Sequence, residues 1–278
     1  MIIDFHVHPT RCDSYTESYR TFLHTVWGER AESALERYAT PEAFLNLMDE
    51  SGVACAVILA ELSPVTTGMC TNERVAEFCS KSPRLIPFAS INPFLCTSVA
   101  RELERLVKDF GFRGVKLYPT YHFYYPNDNF MYPLYAKAEE LGIPISMHLG
   151  SSVFTGSRMK YGQPILIDDV AVDFPGLPLL MCHCGRPFWY NEAFGLARLH
   201  KNVYLELSGL PPQKLLTYFP ELERVADKAI YGSDFPGVAS MAENIKTINS
   251  LAITQEAKEK ILGKNGARLL KIEAGASI

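Results

Sequence analysis

Two histidines, His6 and His8, sit one residue apart in the opening run Met1-Ile2-Ile3-Asp4-Phe5-His6-Val7-His8-Pro9. Side chains at i and i+2 of a strand share a face, so both imidazoles can reach one cation. Zinc accepts such nitrogens at ~2.0–2.1 Å. A pair of strand histidines can equally be packed core residues, so the reading needs support from elsewhere in the chain. Three further strand-like runs supply it. His148 closes Ile145-Ser146-Met147-His148, His183 closes Leu180-Met181-Cys182-His183, and Asp234 closes Tyr231-Gly232-Ser233-Asp234. Three neutral imidazoles and one carboxylate form a set that leaves a coordination position for water. A divalent cation lowers the pKa of such water toward ~7, and a neighbouring carboxylate or imidazole can shuttle the proton.

These residues meet only if the strand ends converge. Apolar, β-branched stretches alternate with helix-like segments along the chain, the pattern of βα units on a parallel sheet. Eight strands are predicted: 1–8, 53–60, 84–92, 114–118, 144–149, 177–183, 203–208 and 228–233. Helices are predicted over 42–50, 71–81, 98–110, 132–141, 168–174 and 254–272. Thr40-Pro41-Glu42 opens the first of these as cap and first-turn proline, and Gly52 closes it. Eight such units favour a (β/α)8 TIM barrel over an open doubly wound sheet, whose first turn is usually glycine-rich. A single domain over 1–278 is expected, with long βα loops at 10–40, 119–131 and 150–164 as lid or pocket candidates.

Composition narrows the class. The chain has 278 residues, 47% of them hydrophobic, enough for one large barrel, which typically needs ~250 residues. A net charge of -4 and no run of Lys or Arg argue against a nucleic-acid partner. Seven scattered cysteines suit reduced thiols in the cytoplasm rather than a disulfide framework. The N-terminus reads as a strand start and not a signal peptide. No apolar run reaches the ~18 residues of a membrane span, so no membrane partner is expected. The expected partner is a small-molecule substrate, and self-association into a homo-oligomer stays open.

Other residues carry weaker signals. Asp4, on the face of His6 and His8 by alternation, is expected to accept a hydrogen bond from a ligand imidazole. Cys182 and Cys184 flank His183 and are expected to be inert buried thiols on the opposite face from it. Arg158, Lys160 and Arg186 follow strands five and six, where they could hold an anion or simply face solvent. Phe188 and Trp189 could line the pocket or cap a helix. The run Tyr121-His122-Phe123-Tyr124-Tyr125 is either a packed loop or a wall for a ring-bearing substrate. His24 and His200 have no strand-end placement.

The ordered series resembles the amidohydrolase superfamily. It is most similar to the amidohydrolase-related branch that holds aminocarboxymuconate-semialdehyde decarboxylase with several small hydrolases and lactonases. The motifs are His6-x-His8-Pro9, Ile91-Asn92-Pro93, Gly114-Val115-Lys116-Leu117-Tyr118-Pro119, His148, His183-x-Gly185 and Gly232-Ser233-Asp234-Phe235-Pro236. They span nearly the whole chain and specify the superfamily better than the reaction. The resemblance implies His6, His8, His148 and Asp234 as ligands of one divalent ion, with zinc expected. It implies Asp234 and His183 as the catalytic proton carriers, or His183 as ligand to a second ion. Lys116 resembles the strand-four lysine that bridges two ions when carboxylated. The alternatives are an unmodified lysine that contacts substrate or one that pairs with a carboxylate of the protein.

The expected activity is that of a metal-dependent hydrolase, using a metal-activated water on a small amide, lactone or related carbonyl compound. The alternative is a metal-dependent non-oxidative decarboxylase of an unsaturated or aromatic carboxylate, toward which the aromatic loop leans. A TatD-type deoxyribonuclease would carry Glu where this chain has Lys116. A non-catalytic barrel would need the ligand types to be missing.

Overall fold

The computed structural model describes residues 1–272, so positions 273–278 of the expected domain lie outside the described residues. Eight parallel strands pair in chain order: Ile3–Val7, Cys55–Leu59, Leu85–Ser90, Val115–Leu117, Ile145–Gly150, Leu179–Arg186, Val203–Glu206 and Ala229–Ile230. Backbone bonds then join the last strand and its extension to the first. Phe5 N–H donates to Tyr231 O (3.0 Å), Asp234 N–H to His6 O (2.9 Å) and His8 N–H to Phe235 O (2.7 Å). The architecture is the expected TIM barrel, and this seam carries Asp234 to the end of the first strand.

Inside the barrel, Phe5, Val57, Phe88, Leu180, Tyr204 and Ile230 form one buried cluster, with the Phe5 and Phe88 rings edge to face at 5.5 Å. A larger cluster fills the layer between strands and helices, including Ile58, Leu103, Leu134, Ile145 and Leu196. Strands buried on both faces read as continuous apolar runs, as these do. Burying each such aliphatic side chain contributes roughly 1.5–3 kcal/mol. The core therefore fixes the strand ends on which the polar residues sit.

Thr40 caps its helix as expected, and Ser98, expected inside a helix, caps one instead. Thr40 Oγ1 accepts from Ala43 N–H at 3.2 Å ahead of Pro41–Ser51, and Ser98 Oγ accepts from Arg101 N–H at 3.4 Å ahead of Val99–Phe110. Each cap contributes about 1 kcal/mol relative to alanine. The helices Tyr190–Leu199 and Met241–Asn249 have no counterpart in the sequence reading.

Two expectations change. The 10–40 connection holds the helices Glu17–Trp27 and Ala31–Arg37, and its Ser14–Tyr15 strand joins Gly68–Cys70 and Glu61–Ser63 in a small antiparallel sheet. Tyr19, Leu23, Ala31 and Leu35 give it a core of its own, so it is a structured cap over the barrel mouth. The C-terminal helix over 254–272 is broken into Gln255–Glu259, a π turn at Lys260–Lys264, and Asn265–Leu269. Among the described residues no helix is long and apolar enough to cross a membrane.

Candidate active site

Register slips in the first strand between Asp4, opposite Ala56, and Val7, opposite Ile58. Such a bulge changes which face the following side chains take. Asp4 therefore does not back an imidazole. Its Oδ1 instead accepts the backbone N–H groups of His6 (3.1 Å) and Ser233 (2.8 Å), bracing the seam, and burial pushes its pKa up to about 7.

Past the bulge, three donor atoms converge. His6 Nε2 lies 3.2 Å from His8 Nε2 and 3.3 Å from Asp234 Oδ1, and His8 Nε2 lies 3.7 Å from the same oxygen. A triangle with those edges has a circumscribed radius of about 2.0 Å, close to the ~2.0–2.2 Å of zinc–imidazole and zinc–carboxylate bonds. His148 sits at the end of the fifth strand. It is 3% exposed, and its Nε2 has no hydrogen-bond partner among the described residues. A buried nitrogen left open in this way fits a ligand role. The His148 ring lies 4.6 Å from that of His183, which lies 5.2 Å from that of His6.

His183 and Asp234 reach the site through unusual backbone. Their φ angles are 64° and 68°, and Cys184 follows at 50°. Non-glycine residues held in this region typically cost roughly 1–3 kcal/mol each and cluster at functional sites. The left-handed turn ends strand alternation at His183. It brings the donor atoms of His6, His183 and Asp234 within 4.8 Å of one another, with Asp234 Oδ2 3.9 Å from His183 Nδ1. Cys182 is not on the far side of the strand from the site, as alternation predicts; its sulfur gathers with His6 and Glu206 in the buried floor.

Burial holds His6, His148 and His183 well below the ordinary histidine pKa, helped by Lys116 at His6 and His148 and by Arg186 at His183. Burial takes His8 down to about 4. All four are neutral near pH 7, the state in which imidazole binds a metal. Burial pulls the Asp234 carboxyl upward, but His6, Arg186 and His8 together hold it below its ordinary value.

Two carboxylates absent from the sequence reading stand behind the histidines. Glu206 Oε2 lies 2.8 Å from His6 Nδ1 and accepts from Ser208 Oγ at 2.8 Å. Burial raises the Glu206 pKa, opposed by the Lys116 ammonium. Glu61 Oε2 lies 3.4 Å from His8 Nδ1, its other oxygen accepts from Thr67 Oγ1, and burial pushes its pKa up to about 7. Ser208 O takes His183 Nδ1 at 2.9 Å. A signal for Glu206 was present: a lone acid ends the apolar run Val203-Tyr204-Leu205-Glu206, and acids are almost never fully buried without a partner.

Lys116 is fully buried in the pocket wall, and its Nζ has no hydrogen-bond partner among the described residues. Arg186 and Tyr121 also line the cavity, whereas Arg158 and Lys160 are exposed and Phe188, Trp189 and His122 are not part of its lining. His24 is exposed, and His200 pairs with Asp168 at 2.6 Å.

A family profile described as amidohydrolase matches residues 3–272 of this chain. The chain belongs to the amidohydrolase family. Among curated proteins, this amidohydrolase is 32% identical over 127 residues to 2-keto-4-carboxy-3-hexenedioate hydratase of Sphingobium sp. (strain NBRC 103272 / SYK-6). The match covers 40% of the amidohydrolase and 37% of the hydratase. Among solved structures, an uncharacterised TIM-barrel protein from Bordetella bronchiseptica superposes with a TM-score of 0.80 at 27% identity, over 98% of both chains. A 5-carboxyvanillate decarboxylase from Novosphingobium aromaticivorans, with bound manganese and a nitrobenzoic acid, superposes with a TM-score of 0.69. It is 18% identical and covers 98% of the amidohydrolase and 97% of its own chain, a likeness of fold alone. The family is one of divalent-metal enzymes, and the donor triangle and the open His148 nitrogen of this amidohydrolase fit such an ion.

Proposed function

We propose that this protein is a metal-dependent lyase acting on an unsaturated or aromatic carboxylate, with non-oxidative decarboxylation as its reaction. The observation that carries this is the cavity wall. Tyr19, Phe22, Tyr121 and Phe154 line the same pocket as the histidines, with Phe154 5.2–6.1 Å from the other three rings. Such a wall stacks on a planar conjugated substrate. A small amide or lactone would leave most of it unused, so the hydrolysis expected from the sequence takes second place. A lyase also agrees with the activities of the relatives, a decarboxylase and a hydratase. The hydratase likeness favours, as a second reading, addition of water across a conjugated double bond.

We assign His6, His8, His148 and Asp234 as ligands of one divalent ion, zinc by their nitrogen-rich set. When bound, the ion supplies Lewis acidity that draws electron density from the conjugated system. Asp234, held ionised, accepts the proton of an acidic substrate hydroxyl. Asp234 returns that proton to the carbon that loses carbon dioxide, while His183, whose Nδ1 donates to Ser208 O at 2.9 Å, offers Nε2 as its remaining acid–base atom. The C–C bond breaks with its electron pair left on that carbon, and the returned proton forms the new C–H bond. Glu206 and Ser208 hold His6 and His183 in orientation, and the cap carrying Tyr19 and Phe22 limits water.

Purified protein loaded with zinc, and separately with manganese, tests the reading against panels of hydroxylated aryl carboxylates, conjugated enoic acids, lactones and amides. Carbon dioxide release or loss of conjugation on the acids is expected. Lactone or amide cleavage with no reaction of the acids would reverse the assignment in favour of hydrolysis.

A further inference from the structure

Lys116 is the middle residue of the fourth strand, and its neighbours Val115 and Leu117 pack outward into the layer between strands and helices. Alternation turns the lysine into the barrel. Ser90 and Ser146 stand opposite it in register on the two adjacent strands, and neither lines the active-site cavity. Lys116 does line it, so its four-carbon stem carries the ammonium from the level of the serines up to the cavity.

A buried ammonium is costly to keep unless it is paired. This residue is fully buried, and its Nζ has no hydrogen-bond partner among the described residues. The acids around it are engaged elsewhere, Glu206 with His6 and Ser208, and Glu61 with His8 and Thr67. The Cys182 thiol beside it is a weak acceptor. The centre of the Tyr118 ring lies 5.2 Å from Nζ, but the Tyr118 hydroxyl is spent on Ala60 O at 3.0 Å. Three N–H donors and a full positive charge are left for what enters the cavity.

We propose that Lys116 holds the substrate oxygen on which negative charge collects, a phenolate or enolate oxygen conjugated to the carbon that loses carbon dioxide. This rests on the lyase reading, in which Asp234 takes the proton of the substrate hydroxyl. The O–H bond breaks with its electron pair left on the oxygen, and Lys116 stays protonated and donates N–H bonds to that oxygen. Charge that appears only after proton transfer is stabilised without tightening the ground state, which lowers the barrier. An ammonium is a compact point charge without the planar fork of arginine, so it suits a single oxyanion better than the edge of a carboxylate. The substrate class narrows accordingly to unsaturated or aromatic carboxylates that also carry a conjugated hydroxyl or enol.

Titration of the zinc-loaded protein with para-nitrophenol, whose phenolate absorbs where the phenol does not, reads the ionisation of a bound oxygen. This probe has no carbon dioxide to lose, so the outcome is separate from that of the lyase assay. Wild type should bind phenolate in preference to phenol. At equal zinc content by elemental analysis, Lys116→Met should reduce that preference by about 10- to 100-fold, read as a matching rise in the pKa of the bound probe. Lys116→Gln, as a second variant that keeps a neutral donor, should fall between the two. No phenolate preference in wild type, or an undiminished one in both variants, overturns the proposal. So does a carbamate resonance on Lys116 after bicarbonate labelling, because a carboxylated lysine would repel the oxyanion.

Discussion

Glu206 Oε2 lies 2.8 Å from His6 Nδ1, and neither side chain is more than 1% exposed. This bond sets which nitrogen of His6 carries the proton and so leaves Nε2 free on the side of His8 and Asp234. Glu206→Gln keeps the shape but removes the charge that favours this tautomer. Zinc affinity should fall about 10- to 100-fold while the barrel stays folded. Competition with a chromophoric chelator measures it, and unchanged affinity would show that Glu206 only fills space.

His6→Ala and His148→Ala should each strip most of the bound metal and most activity. The two residues sit on different strands and contribute nothing to the hydrophobic clusters. Elemental analysis of the purified variants gives the answer, and full occupancy in either would remove that residue from the ligand set.

Asp234→Asn retains an oxygen donor but cannot take a proton near neutral pH. Some metal should remain, and turnover should fall by about 100-fold or more. Wild-type turnover in this variant would remove Asp234 from proton transfer.

His122 gives an acid sensitivity separate from the metal site. It is 3% exposed, its Nε2 lies 3.1 Å from Ser63 Oγ, and burial takes its pKa down to about 3. In the unfolded chain histidine titrates near 6.5. Between those values the unfolded state binds the extra proton, so the stability from a neutral His122 is full above ~6.5 and declines as pH falls toward 3. The slope from one such group is at most about 1.4 kcal/mol per pH unit. Thermal melts from pH 7 to 4 should show a shallower acid decline in His122→Gln than in wild type; parallel declines would refute it.

Much of the fold was legible because strands buried on both faces write themselves as apolar runs. The runs around Ile58, Ile145 and Met181 lie within a few residues of their predicted bounds. The cap over 10–40 was not legible. Its small core of Tyr19, Leu23, Ala31 and Leu35 is spread through a polar stretch and becomes a pattern only once the helices turn. The C-terminal helix was read as continuous because helical periodicity does not register the single π turn at Lys260–Lys264.

By itself, the sequence determined the chemical types at the strand ends: four imidazoles, Asp234 and Lys116, in an order that names a metal-enzyme family. Only tertiary structure decided which of them touch and which groups stand behind them. A bulge after Asp4 and left-handed backbone at His183 and Asp234 override the two-residue alternation on which sequence reasoning about faces depends. Glu206 lies 200 residues from the imidazole it orients, and only ring closure of the sheet makes them neighbours.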